Sequence, residues 1–381
     1  MRGLLGILIA LAGCFIGASA HAEIGSSQTL PFEIHWTNGA CRKCETAKML
    51  GSIAFAAGRN IWALGFLPPG QTGEGDYTVL HSADGGRTWR EMRHTYQHNG
   101  PPDVSFANRR DGLIRLDDVF EASTKLLITH DGGRNWRRVS SPDDDLDHVQ
   151  YLGQGQAVAY SYNVYSQAAA IHAADNLEHA WHNEPLPTGF WPDNLHFTDA
   201  SNGIVVGCLE HRPAVLATSD WGVHWSTTTF DAPSQITDSG SGCDTQFVGA
   251  AQAQGAHGQG WLLIQRVVFP LGASKGFAGV WKSQDAGRSW SPVFREQDDG
   301  PPDVFISFSG PYLLGKDTIL LLKNGPKDAQ SVVYSTDLGA HWLEARLPRG
   351  FGGCAQSADG LVCAGEGFSI ASVRPLATKP H

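Results

Sequence analysis

The sequence predicts an all-β fold, a β-propeller of seven blades with four antiparallel strands each, closed by a composite blade drawn from both ends of the chain. Three observations predict it. An eight-residue pattern, Ser/Thr-x-Asp-x-Gly-x-x-Trp, occurs five times: Ser82 to Trp89, Thr129 to Trp136, Thr218 to Trp225, Ser283 to Trp290 and Ser335 to Trp342. Apolar or β-branched runs flank the copies, as in Tyr77-Thr78-Val79-Leu80 and Lys125-Leu126-Leu127-Ile128, so each reads as the loop of a hairpin. A motif returning every several tens of residues marks a repeat architecture, and unmatched strand-like pieces at both ends supply a last blade.

The residues of the motif explain the turn. The Asp carboxylate accepts hydrogen bonds from backbone N–H groups of its own loop, the Ser/Thr hydroxyl adds another, and Gly supplies a position with φ > 0. The Trp brings a large apolar surface back between neighbouring blades. Asp84, Trp89, Asp131, Trp136, Asp220, Trp225, Asp285, Trp290, Asp337 and Trp342 are therefore read as structural.

Taken in order, residues 1–22 read as a secretory signal peptide: Arg2, an apolar core, then small residues before a cleavage point. Leu11-Ala12-Gly13-Cys14 is a rival, a lipobox that would put a lipid anchor on Cys14. Residues 23–381 form one propeller domain. A strand at 31–38, centred on Trp36, has no partner nearby and is followed by a turn at Cys41 and Cys44. Blade one runs over about 48–93, with strands near 52–57, 60–66 and 77–81 and an insertion at 68–76 rich in Gly and Pro. Blade two begins at Pro101 and blade three at Asp147. The latter carries a decayed repeat from Ala173 to Trp181, one residue too long between Asp175 and Trp181. Blade four starts at Asp193, blade five near Asp244 with an insertion at 269–278, and blade six at Pro301. Strands at 353–357, 361–365 and 369–373 complete the seventh blade with the N-terminal strand; a ring of six is the alternative if the ends only cap it. Closure removes the exposed sheet edges of an open ring.

The chain carries a net charge of −10 and no basic stripe, which argues against nucleic acid and anionic membrane as partners. Beyond the leader, no stretch approaches the roughly 20 apolar residues of a membrane helix. An even set of six cysteines after Cys14 suits disulfides in an exported protein, with Cys208–Cys243, Cys354–Cys363 and Cys41–Cys44 the preferred pairs among the possible connectivities. The Cys41-Arg42-Lys43-Cys44 pair is alternatively a redox couple, without the strand-to-helix context such couples use.

The repeated turn resembles the Asp box, or bacterial neuraminidase repeat, of sialidases, xyloglucan-degrading glucanases, sortilin-type receptors and photosystem II assembly factor propellers. The phrasing of blade four, an apolar strand ending Phe197-Thr198-Asp199, a turn at Ser201-Asn202-Gly203 and a second apolar strand, is most similar to the assembly factors. The resemblance implies a propeller whose boxes lie on the face away from the ligand. The Arg-Ile-Pro opening of sialidases is absent; Arg115 and Arg266 lie on second strands, but no arginine triad or Tyr/Glu pair accompanies them.

On the face opposite the boxes, five Asp residues are expected at the start of innermost strands: Asp103, Asp147, Asp193, Asp244 and Asp303. Such a ring would focus negative potential at the channel mouth and raise some of its own pKa values, or else each Asp simply caps its turn. Trp191, Phe66, Phe269 and Phe277 are candidates to edge the same surface. No metal or cofactor is implied: His residues are scattered, and no zinc spacing or phosphate-binding Gly loop occurs. The function expected is that of an exported, non-catalytic scaffold presenting this face to a protein or glycan. The alternative is a glycoside hydrolase using two of the carboxylates, with Asp103 and Asp303 as candidates.

Overall fold

A computed structural model describes residues 24–26 and 30–376, except 46, 67–74, 98–101, 119–122, 145, 164, 178, 200, 211, 231–246, 255–257, 267–276, 298–306 and 326–329. The expected leader, Cys14, both insertions for the most part, Asp244, Asp303, Phe269 and Cys243 lie outside the described residues.

The described chain opens with β1 (Ile24–Ser26) and β2 (Phe32–Thr37). Blade one comprises β3 (Met49–Ala57), β4 (Asn60–Phe66), β5 (Gly75–Ser82) and β6 (Arg90–Gln97). Blade two follows with β7 (Asp103–Phe106), β8 (Gly112–Asp118), β9 (Ser123–Thr129) and β10 (Arg137–Val139), and blade three with β11 (Leu146–Gly153), β12 (Gln156–Asn163), β13 (Ala168–Ala174) and β14 (His182–Pro185). In blade four are β15 (Phe190–Phe197), β16 (Gly203–Leu209), β17 (Arg212–Thr218) and β18 (Ser226–Thr229), and in blade five β19 (Phe247–Gln254), β20 (Gly260–Arg266), β21 (Phe277–Ser283) and β22 (Ser291–Gln297). Blade six holds β23 (Ser307–Leu314), β24 (Thr318–Asn324), β25 (Gln330–Ser335) and β26 (Trp342–Arg346). Last come β27 (Cys354–Ser357), β28 (Gly360–Ala364) and β29 (Ile370–Pro375), which form the seventh sheet in the order β2-β29-β28-β27. The fold is a seven-bladed, all-β propeller, and the alternative of six blades is set aside.

Closure is antiparallel, from Phe32 opposite Pro375 to Thr37 opposite Ile370. A feature absent from the sequence reading is β1, which adds in parallel to the outer edge of blade six against Trp342 to Glu344. Three residues without a turn signal leave little trace in a sequence.

First strands of successive blades abut around the axis, β3 on β7, β7 on β11, β11 on β15, β15 on β19 and β19 on β23, with β27 returning to β3. Second strands are sandwiched between blades, so both of their faces are apolar. On β12, Ala157 and Ala159 face blade two while Val158 and Tyr160 face blade four. Outermost strands read polar, as in Ser226-Thr227-Thr228-Thr229. Between blades, paired hydrogen bonds from one Gln amide recur: Gln150 to the Phe197 backbone at 2.8 and 2.9 Å, and Gln265 to that of Phe308 at 2.6 Å for both.

The five turns share one hydrogen-bond pattern. Each Ser/Thr hydroxyl donates to the Asp carboxylate at 2.8 to 2.9 Å and accepts the Gly N–H at 2.8 to 3.0 Å. The carboxylate also accepts the N–H and the side chain of the residue before the Trp, as in Thr88, Asn135 and His341. Two successive residues are left-handed, not one: the fourth position has positive φ even where it is Trp221, Ala286 or Leu338. Trp side chains reach the preceding blade, with Trp89 Nε1 donating to Phe368 O of blade seven and Trp342 Nε1 to Val293 O of blade five. In the decayed copy Trp181 makes the same reach, donating to Ser140 O.

Disulfides join Cys41 to Cys44 and Cys354 to Cys363, the latter directly cross-strand. Cys208 is disulfide-bonded as well. These bridges fit an exported protein. No helix of the described residues is long and apolar enough to cross a membrane.

Candidate functional site

Strand direction sets which residues share each face of the ring. The turns ending in Trp lie on one face together with the loop between first and second strands, so the starts of first strands and the ends of second strands share the other face. Asp103 opens β7 and Asp147 is the second residue of β11, as expected. Asp193 is instead the fourth residue of β15, at the register break between Pro192 and Asn194.

The charges of these three carboxylates all act on one side chain that the sequence reading overlooked. Tyr160, at 5 % exposure, donates its hydroxyl proton to the Asp193 backbone oxygen at 2.8 Å. Burial, and then the charges of Asp193, Asp147 and Asp103, raise its pKa well above the ordinary phenol value. Alternation hid it: in Ala157-Val158-Ala159-Tyr160-Ser161-Tyr162 every second residue points into the next blade, and only the neighbouring strand shows what it meets there.

Asp103 is not one member of an open acidic ring. Its Oδ2 accepts from Arg115 Nε at 3.0 Å, His148 Nδ1 at 3.0 Å and the Val149 N–H at 3.2 Å. Burial works to raise its pKa, but the His148 and Arg115 charges and hydrogen bonds outweigh burial and leave it lowered. That direction is opposite to the one a ring of repelling carboxylates would produce. Arg115, 8 % exposed, also donates from Nη1 to Leu146 O at 2.7 Å, tying blade two to blade three. His148 donates Nδ1–H to Asp103, and its side chain is about one-third exposed, at 32 %, beside the Tyr160 ring, centroids 6.2 Å apart.

Asp147 and Asp193 are exposed. Chemically, the mouth of blades two to four thus presents two exposed carboxylates and an imidazole oriented by a half-buried carboxylate, with the Tyr160 phenol buried beneath them. Trp191 is half-buried and packs against Tyr162, ring centroids 4.9 Å apart. Phe66, Phe277 and Arg266 stand at strand ends on this face. A second cluster occupies blade three, where the buried Ser161 Oγ lies 2.9 Å from both the buried His172 Nε2 and the more exposed Asp143 Oδ2.

The opposite face has a cleft of about 550 Å³ between blades four and five, lined in part by Asp199, Asp220, His224 and Arg288. Its two carboxylates are taken up by their own turns: Asp220 binds Thr218 and His224, and Asp199 binds Ser201 and Asn202. Among the described residues no group of three or more His, Cys, Asp or Glu side chains is arranged to hold a metal ion.

No protein-family model matches the chain, and no curated protein sequence matches it. Solved structures are similar in fold at low identity. An ulvan lyase, described as a polysaccharide lyase, aligns with a TM-score of 0.52 at 10 % identity, covering 87 % of this chain and 94 % of that one. An α-L-arabinofuranosidase of Fusarium graminearum aligns at 0.42 and 11 %, covering 87 % and 97 %. A GH74 enzyme of Niastella koreensis aligns at 0.43 and 11 %; 86 % of this chain is covered, which spans only 64 % of that enzyme's chain. The expectation of a non-catalytic scaffold is corrected on this ground. It rested on missing sialidase residues, whereas the polysaccharide lyase that aligns at a TM-score of 0.52 shares this fold, so the lack of one family's signature carries no weight. An acid–base cluster also stands where a plain acidic surface was expected.

Proposed function

We propose that this protein is a carbohydrate-active enzyme, a glycoside hydrolase that works on a glycan at the mouth of blades two to four. The observation that carries the reading is the linked set in which Asp103 accepts from His148, the His148 ring lies beside Tyr160, and Tyr160 donates to the Asp193 backbone. Glycoside hydrolysis needs one group to protonate the leaving oxygen and another to activate water or attack, and the separation of the pair selects inversion or retention. Asp147 and Asp193 are the exposed carboxylates suited to those tasks. Asp103 is bound by three donors and held ionised, so it positions His148 and does not give up a proton. His148 Nε2 then moves the proton between substrate and water.

The repeated turn supports placing the chain beside the Asp-box propellers, nearest in phrasing to the photosystem II assembly factors. Residues 1–22 act as the export signal in this reading, and the enzyme meets its substrate in the periplasm or outside the cell.

The test is turnover of a panel of fluorogenic glycosides and β-glucan oligosaccharides by the purified protein, beside Asp147→Asn, Asp193→Asn and His148→Gln. Loss of about a hundredfold or more in kcat in at least one carboxylate variant is expected, as for removal of a general acid or base. Equal rates in all four proteins, or no turnover of any glycan, would overturn the reading.

A further inference from the structure

Blade seven lacks the turn that the other blades carry, intact or decayed, between their third and fourth strands, because β29 and β2 come from opposite ends of the chain. Its wall toward blade one is therefore made by strand side chains. On the face of the repeated turns this wall and blade one enclose a cleft of about 570 Å³. Alternation sorts the wall: Ala371 and Val373 pack toward blade six, while Ser372 and Arg374 line the cleft, and His35 of β2 lines it too. From blade one come Arg59, in the turn after β3, and Arg87, in the repeated turn. Gly85 N–H donates to Arg59 O at 2.9 Å, so these two arginines stand on loops tied together. The nearby carboxylates are engaged within their own elements. Asp84 accepts from Ser82 Oγ and Thr88 N at 2.9 Å each and from Thr88 Oγ1 at 2.6 Å. Glu33, opposite Arg374 in register, has its carboxylate 2.9 Å from His35 Nε2. Asp359, exposed in the turn after β27, is the lining carboxylate that works against an anion.

We infer that Arg59, Arg87 and Arg374 hold an oxyanion group, the carboxylate, sulfate or phosphate of a small polar molecule, in this cleft. The site lies on the face away from Asp103, Asp147 and Asp193, and it stands whether or not a glycan is cleaved there. A guanidinium group presents paired N–H donors that match an oxyanion, and a concave surface focuses the field of several like charges. The chain as a whole carries a net charge of −10, yet two loops of one blade and a strand of another bring three arginines to one concavity. Gathering like charge this way is unfavourable by itself, and a bound oxyanion offsets it. The volume lies in the range of small-molecule sites, about 300–1,000 Å³. The cleft between blades four and five has the same place between its two blades but brings Arg288 against Asp199 and Asp220. The cationic set therefore belongs to the closing blade and is not a by-product of the repeat.

The experiment is titration calorimetry of the full chain at low ionic strength with inorganic phosphate, inorganic sulfate and glucuronate in separate runs, and with glucose as the neutral control. At least one oxyanion should bind, about tenfold or more weakly after Arg374→Gln and likewise after Arg59→Gln, and more tightly after Asp359→Asn, which removes the opposing charge. Added salt should weaken the binding, because the cleft is open to solvent. Which of the three probes binds most tightly identifies the oxyanion as phosphate, sulfate or carboxylate. Both arginines are exposed, so their variants should fold, and thermal unfolding of each checks that they do. No binding of any oxyanion, glucose bound as tightly, or affinity unmoved by both arginine substitutions in folded protein would overturn the inference.

Discussion

Single residues set the response of this protein to acid. In Asp131 the Asn135 backbone and side-chain hydrogen bonds hold the carboxyl at about 2; in Asp84 and Asp337 slight burial opposes, and the equivalent bonds from Thr88 and His341 outweigh it to reach about 2. Burial first, and then the charges of Arg90 and Arg134, lower His81 to about 4, and burial lowers His172. In each case the unfolded chain binds more protons than the folded one between the two pKa values, so stability falls as pH falls. His81 contributes above about 6.5 and loses it on the way to about 4, and His172 acts in the same direction; the aspartates contribute above about 3.8 and lose it toward about 2. Urea midpoints measured from pH 7 to pH 2 should therefore decline in two stages, with the first reduced by His81→Gln. Glycine geometry gives a second expectation. Gly86 has φ +84°, and an added Cβ would sit 2.6 Å from Ile370 Cδ1 of blade seven. Gly86→Ala should cost about 2–4 kcal/mol by equilibrium denaturation, left-handed strain and overpacking acting together.

Among elements, the repeated turn was the most legible feature, because its hydrogen bonds are local and need only one order of residues. Its tertiary half was not. Trp342 Nε1 reaches Val293 O at 2.9 Å and Gly339 O at 3.1 Å, whereas Trp225 Nε1 is buried without a partner. The same letter in the same motif therefore has two energetic meanings. Trp342→Ala should cost about 3–5 kcal/mol. Trp342→Phe should cost more than Trp225→Phe by about 1 kcal/mol, the worth of the hydrogen bonds lost, as read from paired denaturation curves. Blade three shows the limit of pattern reading from the other side: one extra residue removes the motif between Asp175 and Trp181, yet the Trp still crosses to blade two.

For the whole molecule, closure decides stability. Blade seven joins β2 to strands more than three hundred residues later in the chain, and Phe32, 4 % exposed, packs with Tyr334, Leu361 and Val373 across the junction with blade six. Phe32→Ala should lower stability by about 3–5 kcal/mol. In hydrogen exchange the amides of β2, β28 and β29 should lose protection before those of blades three and four; uniform loss around the ring would show that closure is not the weak point. Replacing Cys354 and Cys363 by Ser should cost a further 2–3 kcal/mol or about that, the loop-closure entropy of a short bridge, measured under non-reducing conditions.

From the sequence by itself came the blade count, the composite closing blade, the geometry of the repeated turn in outline and the face on which Asp103, Asp147 and Asp193 lie, because all follow from repeat spacing and strand alternation. Only the tertiary structure decided what those carboxylates meet. Asp103 accepts hydrogen bonds from an Arg twelve residues away on β8 and a His on the next blade, Asp193 lies within its strand, Tyr160 reaches the Asp193 backbone, and Tyr162 meets Trp191 across a blade boundary. Period and spacing are properties of one strand. A site at a channel mouth is a property of several strands side by side, and no local pattern records which side chain stands opposite another.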